Sequence, residues 1–259
     1  MWVSRTDLPD KAGWTAIVNT ALTEIASGRL QKVVLARKTT LTFSQPLDSQ
    51  LLLFRLRKRA APSTTKFCLQ LNDEQTFLGA TPEVLFTREG RVLKTMALAG
   101  TSVSGDFTEK DKREVDWAMH GIKEALLPFS ENIEIGPLGV LKSTRVSHLH
   151  YPIQATLKEK TTDAQLIEVL HPTPAIGGWP RKEALAFIEK HEPFARGPYA
   201  APLGFSNKER SYFVVGIRSA IVEGKSLHLF AGAGIVPGSD PDKEWMELEA
   251  KISPFLDIL

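Results

Sequence analysis

The sequence predicts an α+β fold built on mostly antiparallel sheets. Strand-like runs recur in pairs around turn signals such as Glu89-Gly90 and Glu223-Gly224-Lys225, and helical patterns fall between those pairs instead of after every strand. Size is a third observation. With 259 residues and 42% hydrophobic content, the chain can bury a sizeable core, as one large domain or two closely packed halves.

In order along the chain, Trp14, Ile17, Val18, Ala21, Leu22 and Ile25 follow helical spacing, with Gly28 placed as a stop. Residues 32–43, KVVLARKTTLTF, are rich in β-branched types and read as a strand. Lys32, Val34 and Ala36 share one alternation face, so a lysine sits among small apolar groups. A short helix is expected over 49–60, strands over 65–71 and 76–80 around LNDEQ, and two more over 83–88 and 92–98. Residues 101–111 read as a loop. Thr108 is placed to cap a helix running to about Leu127, with Asp111 at the reciprocal position. Val115, Met119, Ile122 and Leu126 form its core face, while Glu114 heads a stripe of Ala118, Gly121 and Ala125 that leaves space beside the carboxylate.

Residues 128–152 read as irregular and then β. A short helix over 164–170 halts at His171-Pro172, because the residue before proline avoids the helical region. After the loop HPTPAIGGWP, Pro180 opens a helix ending near Lys190. Long strands are expected over 212–220 and 227–233. The following stretch, to residue 251, combines a glycine turn at Gly232 and Gly234, a cap from Ser239 or Asp240, Pro241 in the first helical turn, and Glu244 and Glu247 three apart on one face. Taken alone, such a pair is ordinarily a solvated acidic turn favoured by the helix dipole. The upstream glycines favour a ligand-facing surface.

Composition narrows the function classes. Lys+Arg 32 against Asp+Glu 30 leaves a net charge of +2, too balanced for a nucleic-acid or anionic-membrane binder. A single cysteine, Cys68, excludes a disulfide framework and a zinc–thiolate site. No apolar run approaches the ~18 residues of a membrane span, and the N-terminus lacks a signal-peptide core, so a cytoplasmic location is expected.

GAGIVPG imitates a dinucleotide fingerprint, but Pro237 occupies the sixth position, Gly238 comes one late and no βαβ unit follows. None of the six histidines shows a metal spacing; His148 and His150, two apart on a strand, read as packed or exposed. There is no GxSxG. What remains is glutamates, one lysine on an apolar strand face and small-residue turns. Lys32 either snorkels at a sheet edge or faces a cavity, where desolvation makes a general base of it. Glu83, after GATP, is either a loop charge or a buried acid. Glutamates without cysteine or histidine partners suit Mg²⁺. Arg218, between Gly216 and Ala220, can pair with a substrate carboxylate. Residue chemistry alone reaches a Mg²⁺ enzyme acting on a small anion.

The segments KVVLAR (32–37), FLGATPE (77–83), ALAGT (97–101), KREVDWAMHGI (112–122), LHPTPAIGGWP (170–180), HEPFARGPYAAPLG (191–204), IRSA (217–220) and the stretch 232–251 go further. In this order the chain resembles the chorismate-utilising enzymes, and most closely isochorismate synthases of the menaquinone or siderophore type. The resemblance implies two large, mostly antiparallel β-sheets packed face to face with helices outside. It implies one chorismate-binding catalytic domain over 1–259, lacking the family's usual N-terminal region. Lys32 matches the base that activates water for attack at C2 of chorismate, and Glu83 the acid that protonates the departing C4 hydroxyl. Glu114 and Glu247, with Glu244 beside them, match the carboxylates around Mg²⁺. Leu98, Gly100, Thr101, His171, Tyr199, Arg218 and Gly232 match positions that line the substrate. Lysine at position 32 is what water-adding members carry, where ammonia-using members carry glutamine. Ala201-Pro202, where the family commonly has a glycine, and Val115, after the metal glutamate, depart from the pattern. Chorismate is thus the expected partner, with no nucleic acid or membrane, in a monomer or weak homo-oligomer. Salicylate synthase and a non-catalytic chorismate-binding module are the alternatives.

Overall fold

The computed structural model describes residues 2–102, 105–142 and 147–259, with the side chains of Thr101, Lys110 and Lys142 also outside the description. The strand expected over 32–43 forms as β2 (Lys32–Phe43), preceded by β1 (Trp2–Leu8) and α1 (Lys11–Ala26). There follow α2 (Ser49–Arg59), β3 (Thr65–Gln70), β4 (Gln75–Thr81), β5 (Val84–Glu89), β6 (Val92–Ser102), α3 (Glu109–Leu126), β7 (Ser130–Ile135), β8 (Gly139–Lys142) and β9 (Ser147–Leu157). The remainder comprises α4 (Asp163–Leu170), β10 (Gly178–Trp179), α5 (Arg181–His191), β11 (Pro202–Ser206), β12 (Arg210–Val215), β13 (Ser219–Glu223), β14 (Ser226–Ile235) and α6 (Pro241–Leu256).

Among the described residues the strands form two seven-stranded antiparallel sheets. One runs β1-β2-β14-β13-β4-β3 with β10 added to β2; the other runs β11-β12-β5-β6-β9-β7 with β8 added to β9. The α+β class and the antiparallel, two-sheet arrangement are as expected. On β2 and β14 the alternation separates two environments. Val33, Leu35, Leu229, Ala233 and Ile235 face a core shared with α1, α5 and α6, whereas Ala36 and Phe230 belong to the core shared with the second sheet.

The chain passes directly from the first sheet to the second at Pro82-Glu83 and returns at residues 216–218. These two crossings are bonded side by side: Ala80 donates its N–H to the Arg218 carbonyl (3.1 Å) and Val215 to the Glu83 carbonyl (3.0 Å). Here the structure corrects the sequence reading. The single strand expected over 212–220 is broken between β12 and β13, and Arg218 takes a left-handed conformation with φ of 50°. Non-glycine residues are rarely held there unless their surroundings enforce it. Gly79 permits the close crossing, since a Cβ there would lie 2.9 Å from the Arg218 carbonyl.

Three other differences are local. β1, β10 and β11 carry no clear alternation and are recruited as strands by the edges they cover. β6 continues through Thr101 into the region read as loop. Gly232 and Gly234 lie inside β14, which runs to Ile235; the turn follows, at Gly238 with φ of 85°. The caps formed as the sequence indicates: Thr108 and Asp111 make a capping box on α3, and Asp240 accepts from Asp242 and Lys243 at the start of α6.

α6 is fastened to the first sheet by a charged cluster. Arg37 on β2 is fully buried, with Glu249 at 2.8 Å, Asp7 at 3.4 Å and the Trp245 ring centre at 4.2 Å. None of its nitrogens makes a well-aligned hydrogen bond, so charge and ring contact hold it. Burial pulls its pKa down, against Asp7 and Glu249. Removing the carboxylates strands a buried cation, whereas removing Arg37 leaves two partly exposed carboxylates still paired with Arg5. We therefore expect Asp7→Asn with Glu249→Gln to cost about 3–5 kcal/mol and Arg37→Met clearly less. Urea denaturation checks this, and the reverse order would refute it.

Candidate active site

Even-numbered residues of β2 point away from the helix layer, and this carries Lys32 and Val34 into a cavity of about 190 Å³ lined by both sheets. β14 lines it with Gly232 and Gly234, β6 with Leu98 and Gly100, α3 with Glu114, and α6 with Glu244, Glu247 and Lys251. The two crossings supply Glu83 and Arg218, and the stretch after α5 supplies Tyr199.

Lys32 is 1% exposed, and its Nζ lies 2.7 Å from Glu114 Oε1. Gly234 makes that pair possible, because a Cβ there would sit 2.6 Å from Glu114 Oε1 and 3.0 Å from Lys32 Cε. A similar close approach occurs at Gly232, whose missing Cβ would meet the Tyr199 hydroxyl at 3.0 Å. Lys251 Nζ bridges Glu247 Oε1 and the Gly232 carbonyl, both at 2.6 Å. Glu244 is 4% exposed. Arg218 has its pKa lowered by burial, with Glu247 pulling the other way. Three basic side chains (Lys32, Arg218 and Lys251) and five acidic ones (Glu83, Asp111, Glu114, Glu244 and Glu247) thus meet on one small cavity.

Burial raises the Glu83 carboxyl to about 7, against the opposing pulls of Lys32, Thr173 and Lys251. The Thr173 hydroxyl makes no formed hydrogen bond in the structure, so burial dominates. Glu83 is therefore a carboxyl that keeps its proton to near neutrality. Tyr199 is pushed up to about 12 and His148 down to about 4, both mainly by burial, so each is neutral at pH 7.

Nearly all the residues singled out from sequence line this cavity. Lys32, Glu83, Leu98, Gly100, Glu114, Tyr199, Arg218, Gly232, Glu244 and Glu247 all do. Thr101 has only its backbone described, on β6; its side chain lies outside the described part. His171 is not among the lining residues. It ends α4, burial holds its pKa at about 4, and Ala175 and Ile176 of the same loop face the cavity instead. His148, read from sequence as merely packed or exposed, lines the cavity with Nδ1 3.2 Å from the Gly100 carbonyl. Lys251 was not singled out either. Its i,i+4 spacing from Glu247 on a helix was the available signal. The room beside Glu114 comes from Gly234 across the cavity; the small stripe on α3 packs instead on Pro174, 2.6 Å from where a Gly121 Cβ would be.

Among the described residues no three acidic, imidazole or thiol groups converge on one point. The donor chemistry nonetheless fits Mg²⁺: Glu114, Glu244 and Glu247 are oxygen donors on one cavity, and two of them already hold a cation, in the form of Lys32 and Lys251.

The cavity is a cleft between two antiparallel sheets that holds a buried lysine, a buried carboxyl and walls carrying charges of both signs. The chain belongs to the family described as chorismate binding enzyme, which matches residues 1–259. It is 36% identical over 264 residues to the isochorismate synthase MenF of Escherichia coli (strain K12), covering 97% of this chain and 61% of that protein. The corresponding MenF of Bacillus subtilis (strain 168) is 36% identical over 267 residues, covering 96% of this chain and 56% of that protein. The solved structure of the menaquinone-specific isochorismate synthase from Escherichia coli superposes with a TM-score of 0.93 at 34% identity, covering all of this chain and 63% of that one. Anthranilate synthase component I from Streptococcus pneumoniae, with a TM-score of 0.88 at 20% identity over 98% of this chain and 60% of that one, shares the fold. The chain spans from 47% to 69% of the length of the curated relatives it matches. No helix among the described residues is long and apolar enough to cross a membrane.

Two predictions follow from the geometry. Between pH 4.5 and 7 the folded protein binds a proton at Glu83 that the unfolded chain has released, so stability falls as pH rises through that window. Glu83→Gln removes this penalty, on the order of 3 kcal/mol at pH 8 and vanishing below the unfolded pKa. Chemical denaturation at pH 4 and pH 8 measures it; an equal effect of the substitution at both would refute the burial argument. Gly234→Ala, in turn, should push Glu114 off Lys32 and cost about 1–3 kcal/mol, with the far-ultraviolet circular dichroism unchanged.

Proposed function

We propose that the protein is an isochorismate synthase, converting chorismate to isochorismate by adding water at C2 and expelling the C4 hydroxyl. The observation that carries this reading is the placing of Lys32 and Glu83 on one cavity from different walls, with Glu83 protonated near neutral pH. The family membership and the isochorismate synthases among the relatives support it.

Lys32 takes a proton from water, whose oxygen attacks C2. The ring double bonds shift, the C4–O bond breaks, and Glu83 delivers its proton to the departing oxygen. One water enters and one leaves, so the reaction is an isomerisation with no redox change. Arg218 and Lys251 provide the positive walls for a dicarboxylate, Arg218 with a fork suited to bidentate pairing. Leu98 and the stacked Tyr199 and Phe230 rings, 5.1 Å apart, exclude water from the ring faces. Glu114 and Glu247, with Glu244, are the residues that would hold Mg²⁺, which when bound offsets and orients the substrate's ring carboxylate. A cytoplasmic, menaquinone- or siderophore-linked role accords with this chemistry.

Purified protein given chorismate and Mg²⁺ should form isochorismate, without pyruvate. Lys32→Gln and Glu83→Gln should each lower turnover by about 10²–10⁴-fold. Release of pyruvate without an added lyase would point to salicylate synthesis, and an inert, folded wild type would sink the proposal.

A further inference from the structure

Strand β2 is the floor of the cavity, and one of its edges is incomplete. β14 pairs with it continuously from Val33 to Thr42. On the opposite edge β1 covers Lys38 to Phe43 and β10 covers only Lys32 and Val33. Between them the backbone of residues 34–37 has no strand beside it. An unpaired edge next to a catalytic lysine would leave that lysine on a slack support.

Two side chains complete the edge. Glu192, whose side chain is 4% exposed, accepts the Ala36 N–H through Oε1 at 2.8 Å. Arg196 donates from Nη2 to the Val34 carbonyl at 2.7 Å, and its Nη1 reaches the Ile176 carbonyl at 3.2 Å. The two groups bond each other in a fork, Nε to Oε2 at 2.8 Å and Nη2 to Oε1 at 2.5 Å. Val34 N–H is taken by the Gly177 carbonyl at 2.9 Å, and the Arg196 carbonyl accepts from Tyr199 N–H at 3.1 Å. One carboxylate–guanidinium pair therefore ties β2 to the 171–180 loop and to the turn that carries Tyr199. Each of those three segments lines the cavity, through Val34, Ile176 and Tyr199. Neither Glu192 nor Arg196 lines it.

We propose that Glu192 and Arg196 are positioning residues, acting as a side-chain substitute for a missing strand and holding Lys32 in register with the loop and Tyr199 walls. The proposal rests on the functional reading above where it concerns turnover, and on backbone geometry alone where it concerns the strand edge. Lysine at position 196 keeps the charge but cannot serve the carboxylate and two carbonyls together, because its ammonium has no planar fork. Glutamine at 192 keeps an acceptor for Ala36 and loses the charge that fixes Arg196.

The test compares Arg196→Lys and Glu192→Gln with Arg88→Lys, which loosens another arginine–carboxylate pair, with Asp163, that does not line the cavity. Amide hydrogen exchange of the whole protein is read at Val34 and Ala36, and steady-state kinetics with chorismate well below each variant's melting temperature. Arg196→Lys should speed exchange at those two amides at least ~10-fold and lower kcat by about 10–100-fold, with KM within about threefold. Arg88→Lys should lower the melting temperature and change neither readout. Unchanged exchange would overturn the strand substitute, and faster exchange with wild-type kcat would overturn the positioning role. If Arg196→Lys does not fold, Glu192→Gln decides on the same readouts; failure of both to fold would mark the pair as a folding determinant and overturn positioning. An inert wild type sinks the functional reading alone, since the exchange result still decides the strand edge.

Discussion

A fully buried ammonium is the constraint on which the rest of this structure depends. Lys32 opens β2, just ahead of the buried apolar run Val33–Ala36, where an unpaired charge would be costly enough to forbid the fold or neutralise the group. The protein meets it with Glu114, projected from α3 across a gap that exists because Gly234 has no side chain. That contact links α3, which packs on β6 and β9 of the second sheet, to the first sheet across the cavity. A second pair, Lys251 with Glu247, repeats the arrangement from α6, bonded to the carbonyl of Gly232 two residues up the same strand. Ion pairs of this kind contribute little net stability. They keep cations and carboxylates dehydrated and close together.

The Glu83 side of the site is held by backbone. Glu83 and Arg218 lie on the two links where the chain changes sheets, and those links bond to each other at Ala80–Arg218 and Val215–Glu83. A carboxyl on a link between sheets is buried without being part of a strand ladder, which accounts for its raised pKa. The left-handed backbone at Arg218 marks the same link as strained, and it is retained where the guanidinium must enter the cavity. Lys32 and Glu83 thus depend on different supports. Lys32 relies on side-chain pairing along an incomplete strand edge, while Glu83 relies on the junction of two sheets.

Much of this was legible beforehand. Alternation on residues 32–43 put Lys32 on a face with Val34 and Ala36, and the capping residues Thr108, Asp111 and Asp240 marked the starts of the helices that carry Glu114, Glu244 and Glu247. These are local signals, set by φ/ψ preferences and side-chain spacing within one element. His148 reads as packed or exposed because a histidine on a strand has no distinguishing local pattern, and His171 stands out only through the resemblance of its segment to the family. The break inside 212–220 escaped for a similar reason: Gly216 and Ser219 are compatible with a strand, and only the need to change sheets at Arg218 interrupts it.

The sequence by itself determined the class of fold, the helix boundaries and the identity of the residues that could do acid–base and metal chemistry, because each follows from short-range periodicity, capping and functional-group type. The order of its segments also determined the family. Only the tertiary structure decided that Glu114 answers Lys32 through the gap at Gly234, that Glu83 is buried enough to keep a proton, and that Glu192 and Arg196 complete an edge 156 residues away from one of them in the chain. Burial, pairing and strand completion are properties of which distant segments meet, and no local pattern encodes that meeting.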